Sequence, residues 1–277
     1  PSPWLDDALR VRRSGERILL VGAGLSAVDA VLALQAQNAG CQIYMLSRRG
    51  ILPHVHNLAL APAPAPEFPD PGNLRSMFRE LRKLIGTMRE ADRCWRIAID
   101  SLRPVSNHLW QGLPVRDRRR FGRHLKTFWE THRHRMAPEV HRRIAEYRKN
   151  GVLQVIAGRL RGTRATNGTT TASIWLRSGG ERLLEVDRVI NCTGIHESYV
   201  DRPRPLIASL IQCGLARANE LGSGFRTNSD GALVQVSGQA SGLLFTLGPP
   251  RRGDLIETTA VPEIRMQAEA LARHLLA

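Results

Sequence analysis

The 277-residue sequence predicts an α/β chain built around a parallel sheet, and three observations carry that expectation. First, "RILLVGAGLSAVDAVLAL" (Arg17–Leu34) reads as a buried strand, a glycine turn and a helix. Second, an apolar strand, Cys41–Ser47, follows at a distance that closes a strand–helix–strand unit. Third, beyond Gly151 the hydrophobic period switches from helical to two, the mark of a β-meander.

In chain order, Pro1 to Glu16 has the composition of a connector. Arg17–Val21 is then a strand and Leu25–Gln37 a helix. Asn38–Gly40 is a turn and Cys41–Ser47 the second strand. "APAPAPEFPDPG" (Ala61–Gly72) forbids regular structure, because alternating prolines favour an extended spacer. Asn73–Asn150 is helical and basic. Within it Phe121, Leu125, Phe128 and Trp129 fall on one helical stripe and read as core, and Val140, Ile144 and Tyr147 continue the pattern after Pro138. "LQVIAGRLRGTRAT", "TASIWLRSGG" and "LLEVDRVINCTG" are three meander strands, turned at Asn167-Gly168 and Gly179-Gly180. "GLLFTLGPP" is a short apolar strand, and "ETTAVPEIRMQAEALARHLL" an amphipathic helix. No internal repeat is visible.

The formal charge of +15 favours anionic partners: phosphates, nucleotides, nucleic acid or acidic lipid. Cys41, Cys94, Cys192 and Cys213 are scattered, which gives neither a disulfide framework nor zinc-ligand spacing. A reducing cytoplasm is the expected compartment, and no signal peptide is visible. The one long apolar run, Ile18–Leu34, is short for a membrane span and is interrupted by Gly22, Gly24, Ser26 and Asp29. No membrane segment is expected.

Gly22-Ala23-Gly24-Leu25-Ser26-Ala27 is a Gly-x-Gly-x-x-Ala fingerprint lying between a strand and a helix. Its first glycine permits the tight turn and its second admits a pyrophosphate close to the backbone. The small third residue lets helix and strand pack closely. N–H groups from about Leu25 then face the phosphates at the positive end of the helix. The expectation is a Rossmann-like dinucleotide site. An NAD site usually carries a carboxylate at the end of the second strand for the ribose 2′-hydroxyl. Here Ser47, Arg48 and Arg49 stand there, and two guanidiniums suit a 2′-phosphate, so NADPH is expected over NADH.

Three segments, "GAGLSAVDAVLAL…SRRGILP", "VDRVINCTG" and "GPPRRGDLIETTAVPEIRMQAEALA", together resemble the two-dinucleotide-domain FAD/NAD(P)-binding flavoproteins. This is the group of flavin-dependent urate hydroxylase and related amine-oxygenating enzymes, and "RRRFGRHLKTFWETHRHRMAPEV" is similar to its helical insertion. Such proteins split an FAD domain around an inserted NAD(P) domain. The resemblance implies a connector over 1–16 and an NAD(P)-binding domain over 17–190 with a helical insertion at about 73–150. The C-terminal part of a split FAD-binding domain follows over 191–277. The family's first FAD fingerprint is absent, so the expectation is a partial chain with an incomplete FAD site. By the same resemblance Thr193 and Gly194 lie at the crossover near both cofactors. Gly248, Pro249, Gly253 and Thr258 sit near the flavin, where a helix N-terminus would stabilise its reduced, anionic form.

The implied function is an NADPH-linked, FAD-dependent oxidoreductase, with a monooxygenase or hydroxylase as its expected class, acting on a small molecule. No catalytic residue is assigned, because the flavin carries the chemistry and the protein supplies position and electrostatics. No metal site is expected: His132 and His134 lie i, i+2 and do not share a helix face. Arg116–Lys149 holds twelve Lys/Arg against four Asp/Glu. A nucleic-acid face is the weaker reading of this charge, since no recognition motif accompanies it. The alternatives are a stand-alone NADPH dehydrogenase, a basic binding module, and a remnant whose fold survives without activity. Against a short-chain dehydrogenase, the positions four beyond Tyr44, Tyr147 and Tyr199 are Arg48, Gly151 and Pro203, so Tyr-x-x-x-Lys is missing.

Overall fold

The computed structural model of the chain describes residues 2–276 apart from 6, 38, 39, 58, 61, 62, 92, 93, 167, 195–197 and 202. The first helices and strands, in order, are β1 (Arg17–Val21), α1 (Leu25–Gln35), β2 (Gln42–Ser47), α2 (Leu74–Glu90) and α3 (Trp95–Ser101). Next come α4 (Ser106–Gly112), α5 (Val115–His124), α6 (Lys126–Arg133) and α7 (Pro138–Lys149). Then follow β3 (Leu153–Thr166), β4 (Thr169–Leu176), β5 (Glu181–Val186) and β6 (Arg188–Asn191). The chain ends with α8 (Pro205–Gln212), β7 (Ala232–Val234), β8 (Ala240–Phe245) and α9 (Val261–Leu276). It divides into two units, one of Pro1–Ala59 with Thr127–Ile195, the other of Leu60–Lys126 with His196–Ala277.

The first unit is a six-stranded sheet in the order β5-β4-β3-β2-β1-β6. From β3 through β2 and β1 to β6 neighbouring strands run parallel, and β4 and β5 add antiparallel. Ile18, Leu19 and Leu20 are all fully buried, as a central parallel strand covered on both faces requires. On one face Ile18, Leu20, Ile43, Met45 and Leu153 pack with Val28, Val31 and Leu34 of α1 and Ile144 of α7. On the other, Leu19, Leu46 and Ile156 pack with Ala172, Ile174, Leu184 and Val186 of the meander. Burying such side chains contributes roughly 1.5–3 kcal/mol each before chain entropy is subtracted.

Two expectations are corrected here. "LLEVDRVINCTG" is not one meander strand: β5 pairs with β4, and after Asp187 the chain enters β6, which runs parallel to β1. The stripe of Phe121, Leu125, Phe128 and Trp129 is not one helix either, because α5 ends at His124, capped by Leu125, and α6 begins at Lys126. None of these four aromatic or aliphatic side chains is fully buried. A helical period records spacing only; what covers the stripe depends on distant residues. The expected turn at Asn38–Gly40 falls largely on residues outside the described set, as does Asn167 of the Asn167-Gly168 turn.

The expected connector is anchored at the N-terminal end of the sheet. Arg188 and Glu16, both buried, pair at 3.1 Å, and Arg188 also donates to the Ala8 carbonyl at 3.0 Å. Asp187 accepts from the Arg17 amide at 2.7 Å and pairs with Arg13 at 2.6 Å. Paired buried charges of this kind hold a register, because separating them strands a charge away from water.

The second unit combines α2 to α5 with α8, α9 and the antiparallel pair β7-β8. Its core gathers Tyr199, Ile207, Ala216, Phe225 and Leu233. Asn107 of α4 pins the loop before α9: its carbonyl oxygen accepts from the Ile256 and Glu257 amides, and its amide donates to the Glu257 carbonyl. Along α9 only Glu263 is buried, paired with Arg103 at 2.7 Å. Leu243 on β8 is 91% exposed and Val261 on α9 is 78% exposed. The apolar strand and amphipathic helix expected at this end exist, with much of their apolar surface facing outward.

Candidate functional site

The sheet changes winding direction at β1: β2, reached through α1, lies on one side, and β6 lies on the other. The C-terminal ends of strands flanking such a switch form a crevice that takes ligands in open α/β sheets. Gly22 opens the turn there with φ of 123°, a region L side chains avoid. A Cβ on Gly22 would run into the Cys192 carbonyl at the end of β6. Its amide donates to Leu46 at 2.8 Å, while the Cys192 amide donates to Val21 at 2.7 Å. Glycine is therefore required at position 22 by the packing of three strand ends.

Gly24 is the N-cap of α1, and no side chain caps it. A Cβ placed there would meet nothing within 4 Å. The first helix amide to find an acceptor in its own turn is that of Ala27, 3.0 Å from the Gly24 carbonyl. The Leu25 and Ser26 amides precede it, at the end of the helix where peptide dipoles leave partial positive charge. No acidic residue occupies the first turn. Ala27 itself is fully buried against the strand, so a larger side chain would separate helix from sheet.

At the end of β2, the Ser47 hydroxyl accepts from the Gly50 amide at 3.1 Å and so closes the turn bearing Arg48 and Arg49. Gly50 adopts φ of 64°, and a Cβ on it would press on Ala157 of β3 at 3.0 Å. Arg48 is exposed. Arg49 is half-buried, its guanidinium carbon 4.5 Å from the centroid of the Phe128 ring. Helical spacing marks Phe128 only as an apolar core position; its contact with Arg49 depends on how α6 returns to the sheet.

At the end of β6, Asn191 accepts from the Thr193 amide at 3.1 Å and hydroxyl at 2.7 Å. Gly194 is exposed with φ of 86°. Thr193 and Gly194 thus follow the strand next to the glycine turn. Burial pushes the Cys192 thiol up to about 11, which keeps it protonated at neutral pH.

The other candidates lie in the second unit. Gly248 precedes a single 3-10 turn at Pro249–Arg251. Its amide donates to Gln267 at 2.9 Å, and its carbonyl accepts from the Thr258 hydroxyl at 2.8 Å. Thr258 is fully buried, and Gly253, also buried, accepts from the Trp110 indole at 2.8 Å. Of these four residues Pro249 alone is exposed.

His132 hydrogen-bonds the Phe128 carbonyl at 2.7 Å, and its ring tilts against that of His54 at 4.4 Å. His134 pairs with Glu130 at 3.3 Å. Among the described residues no three His, Cys, Asp or Glu side chains form a metal-binding group, and no cysteine is in a disulfide. No described helix is long and apolar enough to cross a membrane.

No protein-family model and no curated protein matches the chain. Solved structures do. L-lysine 6-monooxygenase from Pseudomonas syringae aligns with a TM-score of 0.60 at 16% identity, over 96% of this chain and 54% of that one. The cadaverine monooxygenase DfoA from Erwinia amylovora, bound to FAD, aligns at 0.56 and 13%, over 95% and 51%. The ornithine N-hydroxylase KtzI from Kutzneria sp. 744, with reduced FAD, NADP+ and L-ornithine, aligns at 0.53 and 14%, over 96% and 55%. The chain spans about half the length of these proteins. Its Rossmann-like α/β fold is the one they share.

Proposed function

We propose that this chain is the NADPH-binding part, with the returning segment of the FAD domain, of a flavin-dependent monooxygenase. The observation that carries the reading is the uncapped start of α1 at the switch point, one strand away from Arg48 and Arg49. The residues fit the nucleotide. Gly22, Gly24, Leu25, Ser26 and Ala27 would hold the pyrophosphate on backbone amides. Ser47, Arg48 and Arg49 would take the adenosine 2′-phosphate. Thr193 and Gly194 would line the nicotinamide side.

For FAD the fit is partial, since Gly248 and Thr258 are engaged with Gln267 and with each other. Gly248, Pro249, Gly253 and Thr258 would then form a frame beneath the flavin, the Pro249 turn presenting its exposed edge. When bound, NADPH would supply a hydride to FAD and the reduced flavin the oxygen chemistry of the monooxygenases, while the residues named above would hold and orient the two. On this reading residues 17–190 form the NAD(P) domain with its helical insertion at about 73–150, residues 191–277 are the FAD-domain remainder, and the protein works in the cytoplasm on a small molecule. The comparisons favour an amine as that molecule over urate, since the similar structures are lysine, ornithine and cadaverine monooxygenases.

Calorimetry with the chain as it stands tests the core of this. NADPH is expected to bind more tightly than NADH, and Arg48→Glu to weaken NADPH at least about tenfold (1.4 kcal/mol) with little change for NADH. Absence of NADPH binding, or equal weakening of both nucleotides, would remove the assignment.

A further inference from the structure

We infer that Phe128 is a specificity-determining positioning residue, holding Arg49 for the 2′-phosphate of the nucleotide; this rests on the NADPH reading. The guanidinium of Arg49 lies over the Phe128 ring, 4.5 Å from its centroid, well within the range of cation–π attraction. A flexible arginine at a strand end loses rotamer freedom when it grips a phosphate. One already stacked on a ring has lost part of that freedom beforehand.

Both partners of the stack are fixed to the sheet. On the arginine side, the Ser47–Gly50 hydrogen bond and the packing of Gly50 on Ala157 set the turn after β2. On the ring side, the chain after that turn runs beside the C-terminal end of α6 and bonds to it. The His54 amide donates to Thr131 at 3.0 Å, Met136 donates to His54 at 2.8 Å, and His56 donates to Met136 at 2.7 Å. This short ladder holds α6, and with it Phe128, close to the exit of β2. The Phe128 ring is 38% exposed at a position where the helical stripe leads one to expect core.

Arg48 and Arg49 therefore differ in kind. Arg48 is exposed and has no ion pair or hydrogen bond among the described residues, whereas Arg49 is held in place by an aromatic plane. The held cation sets the geometry of 2′-phosphate recognition, and the exposed one adds charge.

Dissociation constants of NADPH, NADH and 2′,5′-ADP for the whole chain and its variants test the proposal. Phe128→Leu is expected to weaken NADPH and 2′,5′-ADP about three- to fivefold while leaving NADH unchanged. Phe128→Tyr, which keeps the ring, is expected to retain wild-type affinity. Arg49→Lys, which keeps the charge and loses the planar stack, is expected to resemble Phe128→Leu. Unchanged NADPH binding in Phe128→Leu overturns the inference while leaving the NADPH reading intact. So does parallel loss of NADPH and NADH, the signature of a purely structural ring. Should Phe128→Leu not fold, Phe128→Tyr and Arg49→Lys decide by the same ratio. A wild-type chain without preference for the phosphorylated nucleotide overturns both.

Discussion

At Gly22–Ala27 the chain leaves helix amides without side-chain caps, whereas at Gly248–Thr258 it engages its polar groups with one another. The first turn ends at Gly24, where a Cβ would meet open space. The second is closed by Gln267, which accepts from the Gly248 amide and donates to Thr258, and by Thr258, which donates back to Gly248. Both are glycine turns leading towards a helix. An uncapped helix start can bind an anion without first breaking a protein contact. A turn whose amide and carbonyl are already satisfied is a rigid support for whatever rests on it.

The largest effect that would sharpen this contrast is at Gly22. Gly22→Ala forces a Cβ into the Cys192 carbonyl at a backbone conformation only glycine tolerates, so a loss of about 3 kcal/mol or more is expected. Urea unfolding would measure it, and near-wild-type stability would mean that the three strand ends are not packed as described. Next comes the second turn. Gln267→Ala leaves the buried Gly248 amide unpaired and is expected to cost about 1–3 kcal/mol with no change in NADPH affinity. Altered NADPH binding there would erase the distinction between the turns.

Gly24→Ala should do the reverse. Stability is expected to fall by about 1 kcal/mol, less than at Gly22, because the new methyl meets nothing and the cost left is the N-cap preference for glycine over alanine. NADPH affinity is expected to fall about tenfold as the methyl enters the path of the pyrophosphate. Unchanged affinity would argue that the phosphates approach elsewhere. The smallest effect is chemical. With its thiol raised to about 11 by burial, Cys192 is expected to resist iodoacetamide in the native protein at pH 8, while exposed Cys213 reacts. Rapid native-state labelling of Cys192, followed by mass spectrometry, would show that the floor of the first turn opens.

Much of the first unit was legible because its signals are local. A mostly apolar strand, a glycine turn and an alternating tract each follow from steric and hydrophobic rules acting over a few residues, and β1, α1, β2 and β3 lie within a few residues of expectation. Arg48 and Arg49 were legible by position, one strand beyond the glycines. The path of β6 was not, because the same apolar residues serve an antiparallel meander or a parallel neighbour, and only pairing with β1 separates the two. The break between α5 and α6 was equally hidden, since Leu125 carries no helix-breaking chemistry.

The sequence by itself therefore determined the glycine turn, the place of two arginines just after the second strand and the type of most elements, for these rest on dihedral limits and local periodicity. Tertiary structure alone decided that Glu16 meets Arg188, that Asn107 pins the loop before α9, and that Phe128 lies under Arg49. Each of those contacts joins residues far apart in the chain. Their energy depends on burial and geometry that arise only once the sheet has brought its strand ends together.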